Sequence, residues 1–532
     1  MASGDDTTAG RAEHRRRLVR STAIFSLATG LSRVLGLLRE IVAKNYFGVS
    51  GPINAFTVAF QVPNLVRALV ADAALSSAFV PVFTDLLEKG ERKRAWRVAS
   101  SLFWLLLLGL GGLTALFILI APLLMRPFGL PHGYESLSVT LSRILFPIVA
   151  LLGVSGIVVG ILNSYEHFTV PALTPVFWNL AIIAGLVIGV PHAHGSSGKL
   201  EVYAVSILVG TVIQVALPFP WLAGRDGRLR LVIDWRDPAV KQVFKLMLPV
   251  TLGLGLINVN LVVDSFFAAR FIDPKLAPSA IDAAFRIYML PQGMFSVAIA
   301  TVLFPSLARF ASRADFDGFR RTVAAGLRQI AFLLVPASVV SAVLCEPIVR
   351  LLYQRGEFKP GQTPVVAYAL AAFSAGLMFN GAMLMLNRAF FSLQSNWVPT
   401  WVALGNLFVN GVLDWTFAPV GVWGIPMSTT VVNLAGTVAL LVLLRARLGR
   451  IELHGTLDAL GRVLVASAVL AGVCFGVWWP LDHALGRSTG TQIVSLGAAL
   501  LVGALAYLGS CRVLRVQELQ TLLSLRVRGR RT

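Results

Sequence analysis

Fourteen times along its 532 residues this chain runs apolar for about the 20 residues that a helix needs to cross a ~30 Å hydrocarbon layer. The runs fall at 22–47, 54–87, 98–125, 138–163, 169–191, 201–223, 242–271, 280–310, 323–348, 364–392, 398–418, 420–444, 460–480 and 490–512. Lipid offers backbone N–H and C=O groups no water to bond, so each run must close its own hydrogen bonds as a helix. The expected fold is therefore an all-α polytopic membrane protein with about 14 transmembrane helices. The composition, 56% hydrophobic and 14% charged with mean hydropathy +0.75, agrees.

A net charge of +20 invites a nucleic-acid reading, but the basic residues sit in short loops between spans instead of on one soluble face. They read as topology. The loops at 89–97, 225–245, 309–321 and 445–462 and the tail from Arg512 are basic, which places them and both termini on the cytoplasmic side. The loops at 126–137, 192–200, 272–279 and 481–489 are short and poor in Lys and Arg, as outward loops should be. Arg350, Arg355 and Lys359 make 349–363 an exception. The first twenty residues, with Arg11 and Arg15 to Arg17, lack the apolar core of a secretory signal and read as a retained cytoplasmic tail. Cys345, Cys474 and Cys511 have no metal-ligand spacing and read as small buried apolar residues.

The chain repeats itself. Ala59-Phe60, then Phe79-Val80-Pro81, a charged loop and Arg97-Val98-Ala99 are echoed by Ala284-Phe285, Phe304-Pro305, a charged loop and Arg321-Thr322-Val323-Ala324. Pro81 and Pro305 lie 224 positions apart, as do Asn163 and Asn387. Six spans per repeat is an even number, so two pseudo-symmetric six-helix lobes of the same orientation are expected around a central cavity. The spans in 460–512 have no counterpart and form two extra C-terminal helices. The expected organisation is a basic tail at 1–21, an N-terminal lobe at 22–232, a C-terminal lobe at 233–448, and the added helices with a basic tail at 449–532.

Catalysis finds little support. The seven histidines lie largely in tails and loops, no paired carboxylates recur at the membrane surface, and no Gly-rich loop precedes Lys-Ser/Thr. The chain reads as a non-enzyme. Transport fits better, because Arg33, Arg39, Arg67 and Asp72 interrupt apolar sequence near the start and Arg286 does so half a chain later. An Arg or Asp at mid-bilayer costs roughly 2.5–3.5 kcal/mol, so these groups should line a wet cavity. Guanidinium forks match phosphate oxygens bidentately, and a pyrophosphate suits two or three of them. The alternatives are an interfacial helix end for Arg39, Glu40 and Lys44, and a structural ion pair for Arg67 and Asp72. Asp282 lies four residues before Arg286. A second group comprises Asn260 with Asp264, Asn410 with Asp414, and Thr430 beside Ser428 and Thr429. Such oxygens without His or Cys suit Na⁺ or a proton, or else serve as interhelical hydrogen-bonding glue.

Gly30-Leu31-Ser32-Arg33-Val34-Leu35-Gly36-Leu37-Leu38-Arg39-Glu40, Asn54-Ala55-Phe56, Phe60-Gln61-Val62-Pro63-Asn64-Leu65-Val66-Arg67 and Ala78-Phe79-Val80-Pro81 resemble the signature of the MurJ (MviN) lipid II flippases, of the multidrug/oligosaccharidyl-lipid/polysaccharide exporter superfamily. The resemblance spans nearly the whole chain. It implies movement of lipid II, the undecaprenyl-pyrophosphate peptidoglycan precursor, from the inner to the outer leaflet of the bacterial cytoplasmic membrane by alternating access. It implies that Arg33, Arg39, Arg67 and Arg286 handle the headgroup with Asp72 beside them, and that the added helices help form a groove for the prenyl tail. Lipid II, membrane lipids and cell-wall synthesis proteins are the implied partners, with no nucleic acid and no covalent cofactor. Asn54 and Phe285 stand where many members have Asp, which shifts the expected Na⁺ or H⁺ site towards Asp264, Asn410, Asp414 and Thr430. The rivals are a flippase for another undecaprenyl-linked glycan, a non-transporting membrane scaffold and a prenyl-phosphate transferase.

Overall fold

A computed structural model describes residues 27–70, 73–395, 397–449 and 453–519. Among them every regular element is helical. Each of the fourteen apolar runs overlaps a helix or a consecutive pair of helices, and nine are long and apolar enough to span alone, ten if one bent pair counts as a span. That pair is Pro360–Ala375 with Leu377–Ser392, bent by 43°. The N-terminal tail and Asp72 lie outside the described residues.

The chain forms two compact units, residues 1–47 with 51–266, and residues 48–50 with 267–532. The first holds α1 (27–47), α2 (Ile53–Val70), α3 (Ala73–Glu88), α4 (Arg92–Met125), α5 (His132–Leu145), α6 (Pro147–Ser164), α7 (Thr169–Ala184), α8 (Gly195–Ala216) and nearly all of α9 (Pro238–Phe267). The repeat assigns the seventh span to the second lobe, whereas by packing α9 goes with the first unit. Internal repeats record ancestry, and compact units record contact.

In the first unit Phe79, Phe83, Trp96, Leu102, Ile157 and Ile161 form a core shared by α3, α4 and α6. Between lipid-immersed helices packing does the work that water exclusion does elsewhere, so small residues mark the close approaches. A Cβ at Gly160 of α6 would lie 2.6 Å from Phe79 Cδ1 of α3. Between α8 and α9 the segment 223–237 has no helix and lies along α4.

The second unit holds α10 (Ala277–Pro291), α11 (Val297–Ser312), α12 (Phe316–Val343), α13 (Cys345–Tyr353), α14 (Thr363–Ala375), α15 (Leu377–Ser392), α16 (Trp397–Phe417), α17 (Gly424–Leu448), α18 (Leu453–Leu485) and α19 (Thr489–Val513). The added pair α18 and α19 packs on α12 and α13 through Phe332, Val335, Leu470, Cys474, Tyr507 and Cys511. Tyr507 Oη donates to Phe332 O at 2.6 Å in the middle of this contact. Ion pairs close both ends. Arg328 of α12 meets Glu518 at 3.0 Å, and Arg350 of α13 is buried against Asp482 of α18. Arg350, the exception among the outward loop charges, is thus a helix-packing group. Among the described residues three spans contain a π-helical turn, at Gly185–Gly189, Ala268–Ile272 and Gln292–Ser296.

Candidate functional site

The first helix carries a charge cluster that is folded in, not left open. Arg39, Glu40 and Lys44 are all buried; Arg39 Nη2 donates to Glu40 Oε1 at 2.7 Å, and its Cζ lies 4.8 Å from the Trp178 ring centre on α7. A guanidinium over an indole gains cation–π attraction, about 2 kcal/mol or more when desolvated, which helps carry the cost of burial. The α7 surface is held to α1 by Asn179, whose Nδ2 donates to Ser32 O at 3.4 Å and to Pro175 O at 2.9 Å. Arg33, one turn and more earlier, is exposed. On α2, Arg67 is half-buried and donates twice to Asn64 Oδ1, from Nε at 3.2 Å and from Nη2 at 2.9 Å. That fork fixes the direction of the guanidinium along its own helix. Asn54, at the start of α2, is fully buried with Nδ2 donating to Gly51 O at 3.1 Å. Trp178 is the member of this cluster that sequence reasoning missed; an indole in an apolar span gives no sign of which cation it covers.

In the second unit, Arg286 of α10 pairs with Asp282, one turn earlier, at 3.3 Å. Its side chain is 38% exposed, so the carboxylate partly neutralises the guanidinium without covering it. Phe285 turns into an aromatic group with Tyr288 and Phe373, ring centres 5.8 and 5.6 Å away. The π turn begins six residues after Arg286, where Gln292 Nε2 donates to Asn380 Oδ1 of α15 at 3.1 Å.

The hard-oxygen residues divide. Asn410, Asp414 and Ser428 are fully buried together: Asn410 Nδ2 donates to Asp414 Oδ2 at 2.9 Å, and Ser428 Oγ donates to Asp414 Oδ1. This joins α16 to α17. Thr430, two residues beyond Ser428, bonds Ala372 O of α14 at 2.7 Å. Asp264 is buried in the first unit and accepts from Asn260 Nδ2 at 3.3 and 3.4 Å. Among the described residues no group of three or more His, Cys, Asp or Glu side chains gathers as if around a metal. The Asn410–Asp414–Ser428 set offers carboxylate, amide and hydroxyl oxygens, a donor set for a hard monovalent cation.

Comparison with known proteins covers most of the chain. The chain matches the family described as lipid II flippase MurJ over residues 43–483. A probable lipid II flippase MurJ of Vibrio cholerae is 30% identical over 525 residues, covering 93% of this chain and 97% of the relative. The lipid II flippase MurJ of Burkholderia cenocepacia is 30% identical over 498 residues, covering 91% and 95%. A solved structure of lipid II flippase MurJ in an inward closed conformation superposes with TM-score 0.76 at 24% identity, covering 92% of this chain and 98% of that one. An inward-facing multidrug transporter of the MATE family superposes with TM-score 0.66 at 16% identity over 81% of this chain and 95% of that one, a likeness of fold alone. Matched along most of its length by the family and by relatives of nearly its own extent, the chain belongs to the MurJ family of lipid II flippases.

Proposed function

We propose that this protein moves lipid II from the inner to the outer leaflet of the bacterial cytoplasmic membrane by alternating access, with Arg33, Arg39, Arg67, Asp72 and Arg286 as the residues that handle the headgroup. Family membership over residues 43–483 is the observation that carries the reading. The site chemistry supports it: Arg67 is oriented by Asn64 and Arg286 by Asp282, each partner on the same helix, and a guanidinium held in a set direction matches phosphate oxygens bidentately. The lipid-linked glycopeptide head is too polar to cross hydrocarbon bare, and a transport path with cationic walls shields it while the prenyl chain stays in lipid, where α18 and α19 help form its groove. Depletion of the native flippase in a bacterium should be rescued by this chain. Rescue of an O-antigen flippase strain in its place, with good membrane expression in both, would favour another undecaprenyl-linked glycan.

Both termini face the cytoplasm in this proposal, and cell-wall synthesis proteins meet the product on the far side. Thiol-labelling at positions 92 and 455 should be shielded from impermeant reagents in intact cells, and at 196 exposed; the reverse pattern rejects the orientation. Na⁺ or H⁺ supplies the drive, since each positive charge entering gains about 2.3 kcal/mol per 100 mV. Asn410, Asp414 and Ser428 receive the ion: with Na⁺ between them the amide presents its oxygen and the hydroxyl turns its proton away, which replaces the Asn410–Asp414 bond within α16 and the Ser428–Asp414 bond that now ties α17 to it.

A further inference from the structure

We infer that the strap 223–237, which links α8 to α9, is an anchor for an anionic lipid leaflet. Its two ends are tied low on α4, where Asp226 pairs with Arg92 at 3.0 Å and Asp237 with Arg94 at 3.5 Å. Its middle is tied higher. Arg230 N donates to Ser100 Oγ at 3.1 Å, Asp234 N donates to Ser101 Oγ at 3.1 Å, and Trp104 Nε1 donates to Arg230 O at 2.9 Å. At about 1.5 Å per helical residue the strap climbs roughly 12–18 Å along α4 and returns. The climb is tight: a Cβ on Gly227 would collide with the Trp96 indole.

The backbone bonds turn one edge to the protein and the other outward. Leu231, Ile233 and Trp235 alternate on the outward side, with Leu231 76% and Trp235 60% exposed. Arg228, Arg230 and Arg236 are exposed around them, and Arg236 Cζ lies 5.2 Å from the Trp235 ring centre. A structure that satisfies its backbone so carefully while presenting three large apolar side chains has an apolar surface to present them to.

The height of the tip says which one. The exposed residues of α4 below it are Arg92, Lys93, Arg94 and Arg97; above it the large exposed side chains are Leu108, Leu116, Leu119 and Leu123. The tip is level with Ser100 to Trp104, at the change from charge to hydrocarbon, which is the headgroup level. Apolar side chains with Trp at that depth, ringed by arginine, are the pattern of an interfacial anchor, and cations there draw anionic phospholipid to the surface. A soluble acidic protein would meet the arginines but not the depth.

The full-length protein, with its three cysteines replaced and a nitroxide at Leu231→Cys, is placed in bilayer discs of phosphatidylcholine with phosphatidylglycerol. The label should be reached by oxygen in preference to a water-soluble nickel chelate, and a label at Lys93→Cys should show the reverse. In mixed micelles, phosphatidylglycerol retained on the parent should exceed that on the R228Q/R230Q/R236Q variant, with affinity falling about fivefold per arginine. A chelate-accessible label at 231 overturns the anchor, and so does equal retention of phosphatidylglycerol by a variant whose melting matches the parent. The label on the parent decides the matter even if the variant fails to fold.

Discussion

Removing the carboxylate of Asp482 should loosen the far end of the added helices more than removing its arginine partner. Both side chains are buried, at 7% exposure for Arg350 and 2% for Asp482. Asp482→Ala strands a guanidinium whose Nε already has no hydrogen-bond partner and whose other neighbour is the Trp478 ring, 5.9 Å away. Stranding a buried ion costs about 3–5 kcal/mol. Arg350→Ala leaves Asp482 within 3.9 Å of Arg487, an exposed side chain able to close in and recover up to about 1 kcal/mol, so about 2–4 kcal/mol is expected. Replacing both, with Met at 350 and Leu at 482, should come within about 1 kcal/mol of the parent, because the pair's attraction largely offsets its desolvation. Cys474 lies two turns from Asp482, fully buried at the contact of α18 with α19, and its thiol reports opening there. In a Cys345→Ser background in micelles, maleimide labelling of Cys474 should accelerate by about two to three and a half decades in Asp482→Ala. Cys511 should respond less, since Arg328–Glu518 and the bond from Arg462 Nη1 to Leu514 O hold its end. A double variant as labile as Asp482→Ala, or unchanged Cys474 labelling in both single variants, would refute the reasoning.

Arg286→Ala and Arg39→Ala should each abolish complementation while protein levels stay near normal, with Lys rescuing poorly because an ammonium offers no bidentate fork; growth of both Ala strains at parent rate would make these charges structural. Conformation-sensitive labelling of purified protein should change with Na⁺ at fixed pH and lose that response in Asp414→Ala. An unchanged response in the variant removes this residue from coupling. Burial first, and then the Arg225 cation, hold the His167 imidazole below its ordinary value of 6.5 in the turn after α6. The unfolded turn therefore binds the proton better, so its stability is full above about pH 6.5 and falls as the pH drops below it. Hydrogen exchange of residues 163–169, corrected for intrinsic rate, should quicken between pH 7.5 and 5.5 in the parent and not in His167→Gln.

The all-helical, membrane-spanning character could be read because lipid leaves a chain one way to satisfy its backbone, and about 20 apolar residues are needed each time. The pairs within one helix could also be read: Asn410 with Asp414, Asn260 with Asp264, and Asp282 with Arg286 are all four apart. Partners on different helices could not. Arg350 looks like a loop charge until Asp482 appears 132 residues later. Thr430 and Ser428 differ by two positions on α17, about 200° around the axis, so only one could face Asp414, and the choice fell to the packing of α14. Arg39 was legible as a costly charge, but its cover, Trp178, comes from 139 residues away on α7.

A π turn is an α-helix holding one residue too many; in regular pitch that residue would rotate everything beyond it by about 100°, and the wider turn takes it up instead. In the eighth span the surplus lies at Gln292–Ser296, between Arg286 and Pro305. Deleting one residue there would restore regular pitch without breaking the rod, and would leave both Arg286 and the Pro305 end facing their present neighbours. Such a helix has a built-in place to absorb a single-residue insertion or deletion. Descendants of this chain can lose or keep that residue without changing which face either half of the span shows.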